Sequence, residues 1–264
     1  MRNIQIMGIL NATPDSFYSG SRINLQMVVD TAGTMIAEGA AILDIGGQST
    51  RPGAIAISAA EEMERTLPVL QAVKQHFPGI SISVDTWYAS VAEQAIGNGA
   101  NIINDISAGD DDESMLDLIA AHDIGYVAMH KQGKPSTMQQ NPVYNDVVAD
   151  VLDYFSRKAE QFYNKGISNW FIDPGFGFGK NTAHNFALLR NLKQFATFNR
   201  SILVGISRKG MVWRTLDSTP EQALNGTTAL HMAALINGAN ILRVHDVKEA
   251  QECITLYNKL YGHG

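Results

Sequence analysis

Polar side chains with chemical uses recur along this sequence, each directly after a short apolar segment. They are amides, carboxylates, imidazoles, hydroxyls and cations, and they comprise Asn11, Asp44, Asp85, Asn104, Asp105, His130, Asp173, Ser207, Lys209, Arg243 and His245. One Asp or Asn in such a place is typically a helix cap or a turn residue. Their recurrence after every apolar segment instead indicates side chains that converge on one site.

Arg243 and His245 combine a planar fork of donors with an imidazole. They stand two residues apart in a strand-like segment, so both are expected to face the same side. Together they suit an anion such as phosphate, and Asn11 and the segment 49–51 (Ser-Thr-Arg) add oxygen ligands and N–H donors. The alternative for Arg243 and His245 is a structural ion pair with a nearby Asp.

A second set of polar groups has a different composition: Asp85, Asn104, Asp173 and Lys209. Acceptors and donors that come from separate segments suit the hydrogen-bonding edge of a flat heterocycle better than a sugar. A buried carboxylate pairs with adjacent ring N–H and amino donors, and lysine donates to a ring carbonyl or nitrogen. We therefore expect a heterocycle next to the anion.

The segment DPGFGFGK (173–180) is rich in glycine. Its backbone could approach a ligand closely, and Phe176 and Phe178 could form walls for a planar ring. Two further segments, which contain Pro14-Asp15 and Pro52-Gly53, mark long loops that we expect to cover the mouth of the site.

The apolar segments predict strands of a parallel sheet, because they are short, rich in β-branched residues and apolar almost throughout. They span residues 4–11, 41–47, 80–86, 101–107, 125–130, 170–177, 202–209 and 241–247. Helical spacing between them predicts helices over residues 25–37, 59–76, 91–98, 115–122, 147–165, 185–195, 220–237 and 248–260. Four glycines suit the left-handed position that ends a helix, namely Gly39, Gly99, Gly166 and Gly238.

Eight strand–helix units in 264 residues predict an α/β protein made of a single (β/α)8 TIM barrel, with residues 1–264 as one domain. No glycine-rich G-x-G-x-x-G turn follows the first strand, which argues against a doubly wound Rossmann fold. The carboxyl ends of barrel strands form one mouth, where the polar residues would meet.

Charge balance and cysteine count limit the partners and the location. The chain has 20 Lys and Arg against 26 Asp and Glu, a net charge of −6. This balance argues against a nucleic-acid partner or an anionic membrane surface, but it permits one small anion site. No apolar stretch approaches a membrane span, and no signal peptide is recognisable. A single cysteine, Cys253, excludes an intrachain disulfide, so we expect a reduced, cytoplasmic setting.

Eight motifs, in family order, make the chain similar to the dihydropteroate synthases of folate synthesis. They are GILNATPDSF (8–17), DIGGQSTRPG (44–53), SVDT (83–86), NDIS (104–107), MH (129–130), DPGFGFGK (173–180), GISRK (205–209) and RVHDV (243–247). Each motif alone is weak, but together at these spacings they are specific. The resemblance implies that p-aminobenzoate displaces pyrophosphate from 6-hydroxymethyl-7,8-dihydropterin diphosphate to give 7,8-dihydropteroate, with sulfonamides as competitors.

The resemblance also implies a role for each site residue. The pterin would be held by Asp85, Asn104, Met129, Asp173, Phe178, Gly205 and Lys209. The diphosphate would be held by Asn11, Thr50, Arg243 and His245, with Mg²⁺ on Asn11. p-Aminobenzoate would be held by Phe17, Thr50, Arg51, Pro52, Ser207 and Lys209. Members of the family are commonly homodimers joined through helices late in the chain.

The implied chemistry is a dissociative displacement. The C–O bond to pyrophosphate breaks first and leaves a cation delocalised into the dihydropterin ring, while Mg²⁺, Arg243 and His245 stabilise the leaving group. A weak aniline nucleophile then needs no strong base, and no covalent enzyme intermediate forms. The catalytic candidates are therefore Asp85, Lys209, Arg243 and His245.

Two loops depart from the family pattern. Gln48 stands where the family usually has Glu, and residues 16–24 read SFYSGSRIN, without the Asp-Gly-Gly pattern that often follows Ser-Phe. Three alternative functions stay open: a pterin-binding methyltransferase, a Schiff-base aldolase with Lys209 as nucleophile, and a catalytically silent pterin-binding barrel.

Overall fold

A computed structural model describes residues 3–13, 18–19, 22–48, 56–133, 137–138 and 142–262. Within these ranges the strands are β1 (Gln5–Asn11), β2 (Tyr18–Ser19), β3 (Arg22–Ile23), β4 (Ile42–Gly46), β5 (Ser81–Asp85), β6 (Ile102–Asp105), β7 (Gly125–Met129), β8 (Trp170–Asp173), β9 (Leu203–Val204) and β10 (Ile241–Val244). The short strands β2 and β3 form an antiparallel pair of their own. The other eight form one sheet.

The eight-stranded sheet closes on itself as a barrel. Its spatial order is β8-β7-β6-β5-β4-β1-β10-β9, and every neighbouring pair is parallel. A parallel bridge between Ile172 and Ile202 joins the two ends of this order. The fold is therefore the (β/α)8 TIM barrel that the sequence predicts.

Helices connect the strands and cover the outside of the barrel. They are α1 (Leu25–Ala37), α2 (Ala59–His76), α3 (Ala89–Gly97), α4 (Met115–His122), α5 (Val147–Asn164), α6 (Thr182–Arg190), α7 (Gly210–Trp213), α8 (Leu224–Ile236) and α9 (Val247–Tyr261), with a 3₁₀ helix over Leu192–Phe198. Polar side chains begin several of them: Asn24, Ser58 and Asp146 each accept a hydrogen bond from the first turn. In the described ranges, no helix has the length and apolar character needed to cross a membrane.

The helices follow the predicted pattern more closely than the strand ends do. The helices predicted over residues 25–37, 59–76 and 115–122 have the observed bounds, and all four predicted helix-ending glycines have positive φ angles. The helix predicted over 185–195 is divided: α6 ends at Arg190, Asn191 follows as its C-cap, and a 3₁₀ helix covers Leu192–Phe198. The strands predicted over 170–177 and 202–209 end early, at Asp173 and Val204.

Two buried layers surround the sheet. The larger core lies between the sheet and the helices and includes Cys253. The second layer, here called the floor, fills the barrel interior with one apolar side chain from each of six strands: Met7, Ile42, Ile102, Val127, Leu203 and Ile241. Phe171 of β8 packs against it. The floor therefore supports the interior side chains that lie closer to the carboxyl ends of the strands.

Candidate active site

The candidate site is the interior layer immediately above the floor. Side chains alternate along a strand, so the residue two positions beyond each floor residue also points into the barrel. Counted also from Phe171, those positions comprise one apolar residue, Ile9, and six others. These six, with Asp85 beside Asn104 in register, form what we call the site layer: Asp44, Asp85, Asn104, Met129, Asp173, Gly205 and Arg243. Every predicted pterin residue except Phe178 and Lys209 belongs to this layer.

Arg243 holds two carboxylates at the centre of the site layer. Its Nε atom donates to Oδ2 of Asp44 and its Nη2 atom donates to Oδ2 of Asp85, each at 2.6 Å. Asn104 Nδ2 donates to the same oxygen of Asp44 at 3.1 Å. The ion pair considered as the alternative for Arg243 is therefore present. It does not oppose anion binding, because a guanidinium has five N–H donors and these bonds use two of them.

Burial moves several pKa values in and beside this layer toward neutrality. It raises the pKa of Asp85 to about 7, against the opposing charge of Arg243. It also raises the pKa of Asp173, with Lys209 as the main opposing charge. Burial lowers the pKa of Lys209 to about 8, and Asp173 opposes that shift. Perturbed carboxyl and amine groups at one place are typical of functional sites.

Lys209 extends its side chain toward the glycine-rich loop that follows β8. Its Nζ atom donates to the carbonyl oxygen of Phe176 at 2.5 Å and lies 4.8 Å from the ring centre of Phe178. A Cβ atom at Gly205 would lie 3.7 Å from this Nζ atom and 3.9 Å from Cβ of Arg243. Glycine at this position therefore keeps open the space between the two cationic side chains.

The glycine-rich loop packs tightly against the segment after β7. Gly175 and Gly179 have positive φ angles. A Cβ atom would lie 1.8 Å from the carbonyl oxygen of His130 at Gly175, and 2.2 Å from that of Gln132 at Gly179. Only glycine fits such contacts, so these residues determine the path of the loop.

Lys180, which ends this loop, is buried and binds the surrounding backbone. Its Nζ atom donates to the carbonyl oxygens of His130, Gly175 and Phe178 and to Nδ1 of His130, at 2.9–3.2 Å. Burial and the charge of Lys180 lower the pKa of His130 to about 2, so the imidazole is neutral and accepts this bond. The sequence assigns no role to Lys180; the structure shows that it holds the loop together.

An apolar wall stands at one side of the mouth. Met129 and Phe178 belong to one buried cluster there, which the structure completes with Trp87, Ile106 and Met138. This arrangement fits the two residues expected to line a pterin slot. The expectation for Phe176 is wrong, because its ring is fully buried in the core outside the barrel and only its carbonyl group reaches Lys209.

His245 and Ser207 meet at the rim of the mouth. The strand predicted over 241–247 ends at Val244, so His245 is not on the same strand as Arg243. Its backbone N–H donates to Oγ of Ser207 at 3.2 Å, and its Nδ1 atom lies 3.1 Å from the same oxygen. The exposed imidazole therefore lies above Arg243 in the mouth and beside a residue expected to bind p-aminobenzoate.

Asn11 and Asp85 flank a position where a metal ion could bind. They lie in register on either side of Gly46, and a Cβ atom there would be 3.9 Å from Oδ2 of Asp85 and 4.0 Å from Oδ1 of Asn11. Glycine thus leaves a cradle between an amide oxygen and a carboxylate oxygen. No cluster of three or more His, Cys, Asp or Glu residues in the described ranges could hold a metal alone. Mg²⁺ needs no such cluster, because it commonly combines one or two side-chain oxygens with water and substrate phosphates.

Gln48, the departure from the family pattern, is anchored to α2. Its Nε2 atom donates to Oε2 of Glu62 at 2.6 Å, and Arg65 Nη1 donates to the carbonyl oxygen of Gly47 at 3.0 Å. Burial raises the pKa of Glu62 to about 7. Nothing in the sequence pattern indicates this buried carboxyl. Gly47 and Gln48 are therefore held in place by α2. Phe17, Thr50, Arg51 and Pro52 lie outside the described residues.

Comparison with known proteins agrees with this geometry. The sequence profile of the family described as pterin binding enzyme matches residues 7–245. The dihydropteroate synthase of Escherichia coli K12 is 44% identical over 252 residues, which cover 94% of this chain and 89% of that protein.

Two solved structures are similar over nearly the whole chain. The Yersinia pestis dihydropteroate synthase in complex with a sulfonamide drug has a TM-score of 0.93 and 41% identity, covering 98% of this chain and 95% of the other. The Thermus thermophilus enzyme in complex with 4-aminobenzoate has a TM-score of 0.88 and 39% identity, covering 98% and 95%. With the site layer and the full-length similarity together, the chain belongs to the pterin binding enzymes and, among them, to the dihydropteroate synthases, which are transferases.

Proposed function

We propose that this transferase joins 6-hydroxymethyl-7,8-dihydropterin diphosphate to p-aminobenzoate, giving 7,8-dihydropteroate and pyrophosphate. The observation that carries this proposal is the site layer itself. One closed mouth gathers the carboxylates that suit a pterin edge and the guanidinium that suits a diphosphate. The remaining steps follow from where each group lies.

The pterin ring lies flat on the site layer. Asp85 and Asp173 accept hydrogen bonds from its ring N–H and amino groups. Asn104 and Lys209 form hydrogen bonds with its other polar atoms. Met129, Phe178 and the space above Gly205 enclose its faces. Carboxylates around the ring also favour positive charge on it, which matters once the leaving group departs.

The diphosphate lies toward Arg243, His245 and Asn11. Arg243 keeps its bond to Asp44 and turns its other donors to the phosphate oxygens. Asn11, with Asp85 across the Gly46 cradle, would hold Mg²⁺ on the diphosphate. When bound, this ion supplies positive charge to the departing pyrophosphate.

Bond breaking precedes bond making, and no enzyme atom bonds to the substrate. Lys209, the nucleophile that an aldolase would use, donates to the carbonyl oxygen of Phe176 and fits a hydrogen-bonding role. Catalysis then rests on charge stabilisation by Asp85, Lys209, Arg243 and His245 around the separating ions.

p-Aminobenzoate enters at the rim. Ser207 lies there beside His245, and with Lys209 it forms the described part of a site completed by Phe17, Thr50, Arg51 and Pro52. The Thermus relative binds 4-aminobenzoate and the Yersinia relative binds a sulfonamide drug. We expect sulfonamides to compete with p-aminobenzoate in this enzyme.

The active species is a homodimer formed through the late helices. Large apolar side chains on the last helix, α9, are exposed: Leu256, Leu260 and Tyr261. A second copy of the chain would cover them. Sedimentation analysis should give twice the chain mass; a monomer at micromolar concentration would contradict the proposal.

The decisive experiment is pyrophosphate release from the purified protein with the pterin diphosphate and Mg²⁺, with and without p-aminobenzoate, and with identification of the pterin product. Dihydropteroate that requires both substrates and decreases with EDTA is expected. Tight pterin binding without product would favour a methyltransferase or a silent barrel. Borohydride trapping of Lys209 on a carbonyl substrate would favour an aldolase.

A further inference from the structure

The side chain of Arg208 joins three segments at the carboxyl end of the barrel. Its Nε and Nη2 atoms donate to the two carboxylate oxygens of Asp246, each at 2.8 Å. Its Nη1 atom donates to the carbonyl oxygens of Pro220 and Glu221, at 3.1 and 2.9 Å. Arg208 thus connects the loop after β9 to the starts of α8 and α9.

The backbone of Arg208 is held in an unusual conformation. Its φ angle is +53°, in the left-handed region that a bulky residue rarely adopts. Its N–H group donates to Oγ1 of Thr227 on α8 at 3.1 Å. Such a conformation persists only where its surroundings determine it.

Asp246 makes this contact in place of an ordinary helix cap. It is the N-cap residue of α9, where a carboxylate usually accepts from the N–H groups of the first turn. It makes no such bond to that turn, all of which the structure describes. Both carboxylate oxygens accept from Arg208 instead. The bidentate pair therefore replaces the bond that would have stabilised the helix locally.

The neighbours of the pair are the proposed site residues. Arg208 stands between Ser207 and Lys209, and Asp246 directly follows His245. We infer that Arg208 and Asp246 are positioning residues that hold the loop after β9 and the loop after β10 together, so that Ser207 and His245 meet at the proposed diphosphate end. The part of this inference that concerns catalysis rests on the proposed function.

Asp246→Asn and Arg208→Lys test the pair, because the first removes charge and the second removes the bidentate fork but keeps charge. Calorimetry with inorganic pyrophosphate and Mg²⁺ should show affinity at least about tenfold weaker in both variants, the scale on which small misplacements act. Affinity for 6-hydroxymethylpterin, which lacks the diphosphate, should fall much less, because Lys209 is also held by its bond to the carbonyl oxygen of Phe176. Equal losses for both ligands, or no loss for either, would overturn the inference.

Asp117→Asn is the matched control, since it removes a carboxylate from the ion pair with Lys165, which joins α4 to the end of α5. It should change neither affinity. The ¹⁵N resonances of the His245 imidazole, assigned through His245→Gln, give a readout that needs no turnover. They should change in Asp246→Asn and in Arg208→Lys, because the contact with Ser207 is lost. Unchanged resonances would refute the pair as a positioning device, whereas failure to form dihydropteroate with shifted resonances would refute only the proposed function.

Discussion

The floor and the site layer lie two residues apart on the same strands, yet they bury opposite kinds of side chain. Ile42 and Asp44 on β4 are both almost completely buried, as are Ile102 and Asn104 on β6. Burial of the floor residues is favourable on its own. Burial of Asp44 requires a partner, which Arg243 supplies. One alternation of side chains along the strands therefore provides stability at one level of the barrel and ligand-binding groups at the next.

Unused hydrogen-bonding capacity sharpens this contrast. Among the described residues, the buried atoms without a hydrogen-bond partner include Oδ1 of Asp44 in the site layer and Oγ of Ser83, its register neighbour on β5. A layer built for stability alone would satisfy such atoms, because each costs free energy when it stays unpaired. Polar atoms of a ligand or ordered water would complete the layer.

The largest effect is expected at Arg243, because its guanidinium forms ion pairs with Asp44 and Asp85 of the site layer. Arg243→Met should reduce kcat/KM for dihydropteroate formation about 10²–10³-fold, because it removes a donor to the leaving group. It should also lower the free energy of unfolding by about 3 kcal/mol at neutral pH, because Asp44 and Asp85 lose their partner. Steady-state kinetics and urea unfolding measure the two losses.

Arg243→Lys is the matched control, because it keeps the positive charge but removes the planar fork of donors of the guanidinium. It should recover much of the stability and little of the activity, since one ammonium cannot bond both carboxylates and a phosphate. Activity of Arg243→Met within about tenfold of the wild type would show that the guanidinium serves the fold only.

Lys209→Ala is expected to have the next largest effect. Loss of the amine should weaken pterin binding and reduce kcat/KM about 10²-fold, because a buried, charge-assisted donor at the ring is removed. Calorimetry with the pterin and steady-state kinetics test this. Lys165→Ala, which removes an ion-pair amine at the far end of α5, is the matched control. Wild-type-like kinetics in Lys209→Ala would remove Lys209 from the site.

The pH dependence of pterin binding should follow Asp85. Its folded pKa of about 7 lies above the ordinary value of 3.8, so it holds a proton over a range in which an exposed Asp has lost it. Pterin affinity should therefore fall up to about tenfold per pH unit below pH 7, because the protonated carboxyl is a poorer acceptor. The raised pKa of Asp85 also stabilises the folded protein at low pH. This contribution is fully present below pH 3.8 and is lost as the pH rises through about 7.

Asp85→Asn isolates that titration. Calorimetry between about pH 5.5 and pH 8.5 should show weaker binding overall and a flatter profile than in the wild type. An unchanged slope in Asp85→Asn would assign the dependence to another group, such as Asp173, whose pKa burial also raises.

The sequence predicts the barrel and most of the site because both depend on local order along the chain. Apolar runs predict the strands, and polar residues just beyond them predict Asp85, Asn104, Asp173 and Arg243. Contacts between distant residues are beyond such reasoning. The bonds of Arg243 to Asp44 and Asp85, which lie 199 and 158 positions away, have no local signal. Neither does the burial of Phe176, because an apolar ring after a strand suits the core and the mouth equally.

The ends of β8 and β9 could not be predicted from the local sequence either. Residues 174–177 (PGFG) and 205–206 (GI) are apolar or glycine, so composition extends both strands beyond their observed ends. Beyond the observed ends, the backbone is held by side-chain contacts: Lys180 donates to the carbonyl oxygen of Gly175, and Arg208 donates to that of Glu221. Such side-chain contacts follow no pattern that a strand prediction detects.

The smallest effect is expected in the floor, and it tests the comparison most directly. Ile102→Val should lower the free energy of unfolding by about 1 kcal/mol, because it removes one buried methylene from a packed layer. Its kcat and KM values should stay within about twofold of the wild type. Asn104→Leu, two residues further along the same strand, should do the reverse: pterin binding falls while stability is largely kept, because Asp44 still has Arg243. If Ile102→Val instead changed KM as strongly as Asn104→Leu, the floor would be part of the site and the division between the two layers would be wrong.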